Sequence, residues 1–341
     1  MGIPHSGAFI VFPEPERAEL RNESLRAPTP NEVVVRTAWS LISTGTETTC
    51  YGRRFAPGTH WDQWVQYPFR PGYSLAGVVE AVGADVSLYR PGDRVVGRFP
   101  HAEYTVADAA EWMPIAEGVS DRDATWFALA FIVQNGVRSA CHALGEDLVV
   151  VGLGPLGQLA VQYLHLLGPR HLIAVDPIPP RLALARARGA TTVLAALADE
   201  AVEGVREETG GRMADAVYDM TGNATVFATA LQLLHVRGTL VLVGDPGSPA
   251  EQHLTSAVIR NSLRIVAAHA NNTSPFDSPW SHWTRANMVA LFFTYLAGGR
   301  MNVADLNTDV FSPRDPQSAY QRLLRDRGAT MGTHFDWSHL P

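Results

Sequence analysis

The chain of 341 residues has no lysine and only two cysteines, Cys50 and Cys141; all 27 of its basic residues are arginine. Without a lysine amine there is no Schiff-base chemistry, no nucleotide loop of the GxxxxGK[ST] type and no Tyr-x-x-x-Lys catalytic pair. Two cysteines cannot build a four-cysteine zinc lobe or a disulfide framework for a chain of this size, so a reducing cytoplasm is the expected setting. Excess positive charge is missing too. The net charge is -7, and no stretch interleaves arginines with aromatics, which argues against nucleic-acid binding. Long apolar runs are also missing. The longest, Ala124 to Val133, is about ten residues against the ~20 that span a bilayer. The N-terminal MGIPHSGAF lacks a charged region followed by an apolar one, so no secretory signal is expected.

What is present fits two domains. Short strand-like runs at Phe9–Phe12, Glu32–Ala38, Ala76–Val82, Arg94–Val96 and Ala102–Val106 are punctuated by turns such as Arg90-Pro91-Gly92-Asp93, which predicts a β-rich, barrel-like domain. From about residue 147 apolar strands alternate with helical segments. Strands are expected at Leu148–Val151, His171–Val175, Thr192–Leu194, Ala216–Asp219, Thr239–Val243 and Arg264–Ala268, with helices such as Leu156–Leu167 and Arg181–Arg188 between them. Such alternation implies a six-stranded parallel sheet of the Rossmann type. After Asn271 the pattern turns irregular. A helix over Ala286–Leu296, a strand near Leu306–Phe311 and a helix over Pro316–Arg325 follow. This tail is expected to return to the first domain, giving boundaries of 1–138, 139–273 and 274–341.

Gly152-Leu153-Gly154-Pro155-Leu156-Gly157 matches GxGxxG directly after a predicted strand and at the start of a helix. In that context the glycines serve a tight turn, close approach of a pyrophosphate, and helix–strand packing, while the helix N-terminus favours the phosphates. Asp176 ends the next strand and can accept hydrogen bonds from ribose hydroxyls while repelling a 2′-phosphate, which favours NAD over NADP. Two readings of Arg181 are open: it flanks the ribose or a phosphate, or it is a solvated arginine in the first helical turn. Thr221 and Gly222, and Val243 and Gly244, follow the fourth and fifth strands at the same sheet edge. His269 ends the sixth. These loops either line the ligand crevice or only terminate strands.

Ile42-Ser43-Thr44-Gly45-Thr46-Glu47, Pro71-Gly72-Tyr73-Ser74-Leu75-Ala76-Gly77, Pro91-Gly92-Asp93-Arg94-Val95, Ala102-Glu103-Tyr104, Asn135-Gly136 and the glycine motif together resemble the medium-chain dehydrogenase/reductase superfamily over nearly the whole chain. The resemblance implies a GroES-like barrel domain beside the Rossmann domain, and nicotinamide-dependent hydride transfer in an interdomain cleft. The sequence departs from the zinc-containing branch at every metal position. The first cysteine is replaced by Ser43, or by Thr44 if the register shifts by one. The histidine and glutamate of Gly-His-Glu become Tyr73 and Ser74, and the last ligand falls on Phe131. Hydroxyls and a phenol are poor substitutes for zinc ligands, so no zinc is expected. The Ile-Ser-Thr-Gly-Thr-Glu and Gly-Tyr-Ser variants resemble a zinc-lacking branch of dehydrogenases. That branch includes the enzyme oxidising the hydroxyethyl group of a bacteriochlorophyllide, and relatives acting on sugars or cyclitols.

Without a metal, hydrogen-bond donors must stabilise the alkoxide-like oxygen. The candidates are Tyr73, the preferred donor, with Ser43, Thr44 and Thr46. A base titrating near neutrality points to histidine; His60 and His101 are expected in loops near the cleft. Glu47 either orients a base, binds the nicotinamide ribose, or is a solvated turn carboxylate. The stretch Tyr51, Phe55, Trp61, Trp64, Tyr67, Phe69 is either a platform for a bulky or aromatic substrate or a loop packed on itself. Trp280, His282 and Trp283 are candidates to close the cleft. His334, Asp336 and His339 sit in a tail too poorly preorganised for a metal site, and both cysteines read as buried. In related enzymes the last strand pairs with its copy in a second subunit, so a homodimer through 263–268 is expected. The leading expectation is a zinc-independent, NAD-dependent secondary-alcohol dehydrogenase. The alternatives are an NADPH-dependent quinone or enoyl reductase, and a nucleotide-binding redox sensor without turnover.

Overall fold

A computed structural model describes residues 4–340; residues 1–3, Pro341 and the side chain of His339 lie outside the described residues. The chain divides into two compact units. The first comprises Met1–Arg54, His60–Ala128 and Ala286–Pro341, and the second Phe55–Thr59 and Leu129–Arg285.

The first unit is built on the strand Glu32–Ile42, whose eleven residues are buried on both faces over much of its length. Apolar side chains at Val33 and Val35 pack with Leu75, Val79, Val95, Ala107 and Trp112 into one core. The strand also supports three antiparallel neighbours, Leu75–Val82, Tyr104–Asp108 and Gly332–Asp336. Register shifts at Val34/Val35 and Thr37/Trp39 bend it along Leu75–Val82, as bulges do. Arg94–Gly97, Trp112–Pro114 and Asn307–Phe311 complete a seven-stranded sheet, and Ser6–Val11 pairs separately with Glu19–Ser24. The returning tail thus enters this sheet directly, through Gly332–Asp336.

The second unit is a six-stranded parallel sheet. Its order is Thr192–Leu194, His171–Val175, Asp147–Val151, Ala214–Asp219, Leu234–Leu242, Arg264–Ala267. The first three strands run outward in one direction and the last three in the other, so the order reverses between Asp147–Val151 and Ala214–Asp219. Ligands bind at such reversals, beyond the carboxyl ends of the strands. Val149, Val151, Ile173, Val175, Val217 and Leu240 form the core under the helices.

The unit boundaries lie at different residues from the expected 138 and 273. The helix Phe127–Ala140 carries Gly136, where an added Cβ would stand 2.8 Å from Val243 Cγ2, so most of this helix goes with the parallel sheet. The short segment Phe55–Thr59 does as well, through Ala56 N–H to the Gly247 carbonyl at 2.9 Å.

Candidate functional site

Ser43–Tyr51, to which the sequence reading assigns no element, forms the helix Thr44–Tyr51 with Ser43 at its N-cap. The Ser43 side chain does not cap the helix. Instead Glu47 reaches back, its Oε1 accepting the Ser43 N–H at 2.8 Å. That satisfies a backbone donor at the helix start and leaves the Ser43 hydroxyl to accept a hydrogen bond from the Tyr73 hydroxyl at 2.5 Å. Burial raises the pKa of Tyr73, and the Glu47 carboxylate adds to this; the Ser43 and Thr46 hydroxyls and the Arg98 guanidinium act in the opposite direction. Tyr73 therefore holds its proton at neutral pH and is a donor. Thr44 is half-buried, and its carbonyl accepts from the Thr48 hydroxyl at 2.6 Å.

His101 does not lie in an open loop. It is fully buried and engaged at both ring nitrogens: Nδ1 with Ser40 Oγ at 2.8 Å and Nε2 with Glu47 Oε2 at 3.0 Å. Trp337 Nε1–H, a donor only, gives its bond to the same Ser40 Oγ at 2.9 Å. One consistent assignment then has the Ser40 hydroxyl donating to His101 Nδ1 and His101 Nε2–H donating to Glu47. Tyr320 also donates to Glu47 Oε2, at 2.7 Å. Glu47 is accordingly a buried carboxylate with three donors, not a solvated turn residue. His101 supports a second arm as well. Gly72 has φ +100°, and a Cβ there would come within 2.7 Å of the His101 ring, so the imidazole packs directly behind the backbone that delivers Tyr73. His101 and Glu47 are positioning residues at the back of the Ser43–Tyr73 pair. Ser40, Arg98, Tyr320 and Trp337 were not singled out from the sequence; no local motif marks them.

Zinc is bound by nitrogen, thiolate sulfur or carboxylate oxygen. At the positions that the resemblance assigns to metal ligands stand the Ser43 and Tyr73 hydroxyls bonded to each other, Ser74 donating to the Thr125 carbonyl, and the buried ring of Phe131. This donor set does not fit zinc. Among the described residues, no group of three or more His, Cys, Asp or Glu side chains could hold a metal ion.

In the second unit the three motif glycines occupy three different environments. Gly152 has φ +88°, and a Cβ there would meet Thr221 Cγ2 at 2.7 Å. Gly154, the N-cap of the helix Pro155–His165, faces open space. At Gly157 a Cβ would stand 2.0 Å from the Gly152 carbonyl oxygen. Gly152 thus makes a tight turn, Gly154 leaves an open surface and Gly157 makes a packing contact, with Pro155 and Leu156 in the first helical turn. Asp176 is buried; its carboxylate accepts the Leu153 N–H at 2.8 Å and the Ile178 N–H at 2.9 Å, with a lone pair left on each oxygen. Arg181 Nη1 lies 3.6 Å from the Asp176 carboxylate with its side chain 15% exposed, so it is neither solvated nor turned away. At the same sheet edge, a Cβ on Gly244 would lie 2.3 Å from Gly222 N. The Val243 and Gly244 N–H groups both reach the Asp219 carbonyl, and the Thr221 hydroxyl donates to Asp219 Oδ1 at 2.6 Å. His269 is exposed, and its carbonyl accepts from Asn135 Nδ2 at 3.1 Å.

The remaining candidates scatter. His60 is exposed at the start of the helix His60–Trp64, its ring 5.4 Å from that of Trp61. Tyr51 and Trp61 are core residues, Phe55, Tyr67 and Phe69 are half-buried, and Trp64 is 51% exposed; the stretch is largely packed on itself. Trp280 is almost fully exposed, His282 faces Asp277 at 3.1 Å, and Trp283 lies under Arg138 at 3.2 Å. Cys50 is buried, but Cys141, expected inside, is exposed: it follows the helix Phe127–Ala140 at φ +57°, where the chain leaves the helix before the strand Asp147–Val151. His334 is buried, and the His339 side chain lies outside the described residues.

Residues 29–117 match the family model for the alcohol dehydrogenase GroES-like domain, and residues 155–283 that for zinc-binding dehydrogenase. D-guloside 3-dehydrogenase of Escherichia coli is 28% identical over 336 residues, covering 92% of this chain and 95% of the relative. L-threonine 3-dehydrogenase of Symbiobacterium thermophilum is 32% identical over 238 residues, covering 60% of this chain and 67% of the relative. Among solved structures, an Escherichia coli oxidoreductase/dehydrogenase of unknown specificity superposes with a TM-score of 0.81 at 18% identity, covering 97% of this chain and 99% of the other.

Proposed function

The chain belongs to the medium-chain dehydrogenase/reductase superfamily and is an oxidoreductase, and from that premise we propose that it interconverts a secondary alcohol and a ketone with NAD and without zinc. The observation carrying this reading is the Tyr73–Ser43 hydroxyl pair, held from behind by Glu47 and His101 at the positions where the zinc-containing branch has metal ligands. A polyhydroxylated substrate, a glycoside or cyclitol, is favoured by the relative named for guloside oxidation and by a site of hydroxyl donors. In this reading the first unit is catalytic and the second binds nucleotide. Gly152, Gly154 and Gly157 would hold the pyrophosphate, and Asp176 would take the ribose hydroxyls.

When bound, the nicotinamide supplies the hydride acceptor or donor. With substrate bound, the Tyr73 O–H would turn from Ser43 to the reacting oxygen, where negative charge accumulates. The Ser43 and Thr46 hydroxyls would then donate to the phenol oxygen and hold it in place. The reading also includes a cytoplasmic setting, consistent with two free thiols, and a homodimer through Arg264–Ala267, which lies at the sheet edge.

A nicotinamide-coupled screen of glycosides, cyclitols, polyols and hydroxyethyl aromatics, run with NAD and NADP, tests the proposal. NAD-dependent turnover is expected, with Tyr73→Phe lowering kcat by roughly 10²-fold and leaving NAD affinity unchanged. Stoichiometric zinc in the purified enzyme, a preference for NADP, or full activity in Tyr73→Phe would each overturn the corresponding part.

A further inference from the structure

The Ser43–Tyr73 site contains a cation that no motif predicts. The strand Arg94–Gly97 ends at a glycine with no room for a side chain: a Cβ on Gly97 would lie 2.5 Å from the Phe99 ring and 2.8 Å from Trp112. Phe99 and Trp112 pack against each other with ring centroids 4.6 Å apart. The backbone passes over this pair, and the next residue, Arg98, is half-buried with its guanidinium carbon 5.4 Å from the centre of the Tyr73 ring. In a chain without lysine, a guanidinium is the permanent cation available, and it stays charged at every working pH.

Proton transfer at Tyr73 is a problem of charge. The phenol is buried, and its pKa is raised first by that burial and further by the Glu47 carboxylate behind it. Glu47 is itself held by the Ser43 N–H, His101 and Tyr320. A buried anion at the Tyr73 oxygen therefore needs a compensating charge. The groups facing it are Ser43 and Thr46 from the helix Thr44–Tyr51 and its cap, Glu47 from the same helix, and Arg98 from the end of Arg94–Gly97; of these only Arg98 is positive.

We propose that Arg98, held over the Tyr73 ring, is the positioning charge that lets Tyr73 act as the proton-transfer group in place of a metal ion. The inference rests on the dehydrogenase reading. In ketone reduction, a bound reduced nicotinamide would supply hydride to the carbonyl carbon as the C=O π bond opens. The oxygen takes the Tyr73 proton, the Tyr73 O–H bond breaks, and water later reprotonates the phenolate. Alcohol oxidation runs these steps backward. Arg98 stabilises the phenolate through its charge, while Ser43 and Thr46 stabilise it by hydrogen bonds.

The test does not depend on turnover. Fluorotyrosine is incorporated throughout, which brings phenol titration down to an accessible pH; the Tyr73 resonance is identified by its loss in Tyr73→Phe, and fluorine NMR follows its midpoint. Arg98→Met should move the midpoint up by about one pH unit or more, the scale of a unit charge at this distance in a partly screened site. Arg98→Lys should restore most of it, which a merely structural role would not do. Thermal melting establishes that each variant is folded, and Arg98→Gln serves if Arg98→Met is not. With a substrate from the screen, the limb of the kcat–pH profile belonging to Tyr73 should move with the NMR midpoint. A Tyr73 midpoint that is the same in wild type and in the folded neutral variant overturns the inference. A midpoint that moves in a protein inactive toward the whole panel with both nucleotides overturns the dehydrogenase reading instead.

Discussion

His334 is buried in the strand Gly332–Asp336, and one side of its ring is bonded: Nε2–H donates to Thr125 Oγ1 at 3.1 Å, while Nδ1 has no partner. The Thr125 hydroxyl is already donating, to the Arg122 carbonyl at 2.6 Å, so it can only accept from the ring. Burial, with the Arg122 charge second, lowers the His334 pKa from 6.5 to about 3. The folded state thus takes up the proton later than the unfolded chain does. Stability is complete above about pH 6.5 and is lost as the pH falls from there toward 3, at up to ~1.4 kcal/mol per pH unit, or about 2 kcal/mol by pH 5. His334→Gln should flatten the dependence of Tm on pH between 6.5 and 5, measured by calorimetry; an unchanged slope would remove His334 as the cause. At this scale sequence reasoning was uneven. Tyr73 and Ser43 were legible because the superfamily pattern marks their positions. His101 lies in a loop as expected, but its burial was not legible, since a histidine between Pro100 and Ala102 looks the same whether its ring faces solvent or Gly72. Arg98 carries no pattern; only the folding of the Gly97 backbone over Phe99 and Trp112 brings it to Tyr73.

Among the elements, the glycine loop offers a comparison between two adjacent substitutions with opposite expected outcomes. At Gly157 a methyl group would lie 2.0 Å from the Gly152 carbonyl, whereas at Gly154 it meets nothing within 4 Å. Gly157→Ala should therefore lower Tm and lose several kcal/mol, as forced overpacking against backbone does. Gly154→Ala should melt within about 0.5 kcal/mol of wild type yet, if the proposed function holds, bind NAD at least about tenfold more weakly, because the pyrophosphate then lies against its open face. Calorimetry and nucleotide titration on both variants check this; normal NAD affinity in Gly154→Ala would remove the loop from the cofactor site. The βαβ elements were legible because their patterns are local. His171–Val175, Thr192–Leu194 and Pro316–Arg325 fall where the sequence placed them. Glu19–Ser24 was missed because it has one apolar residue, Leu20, and no buried one, and Gly332–Asp336 because its five residues become a strand by pairing with Glu32–Ile42 and Asn307–Phe311. Thr44–Tyr51 is not legible as a helix because Thr and Gly are weak helix formers; the Glu47 carboxylate, bonded to the cap N–H, compensates at its start.

For the molecule as a whole, the edge strand Arg264–Ala267 leaves Arg264, Ile265 and Ala267 exposed, with Ile259, Phe276 and Trp280 also exposed in the same unit. A bare edge of this kind invites pairing with its own copy. The proposed homodimer predicts a dimer mass by light scattering for the wild type and a monomer for Ile265→Lys, since a lysine at the seam must be desolvated; a monomeric wild type would refute it. No helix among the described residues is long and apolar enough to cross a membrane.

What the sequence determined by itself was whatever depends on near neighbours in the chain. Asp147 to Asp176 forms a single strand–turn–helix–strand unit, and its periodicity and glycine spacing carry the nucleotide fold. The loss of cysteine and histidine at the metal positions is likewise a matter of residue identity. Only the tertiary structure decided what surrounds the Tyr73 hydroxyl. Tyr320 and Trp337 come from the returning tail, His101 from a loop after the strand Arg94–Gly97, and Arg98 from the end of that strand; their surroundings arise from burial beside Glu47, Ser40 and Tyr73. Charge stabilisation at a buried oxygen depends on distances of a few ångströms between segments far apart in the chain, and no local pattern encodes those distances.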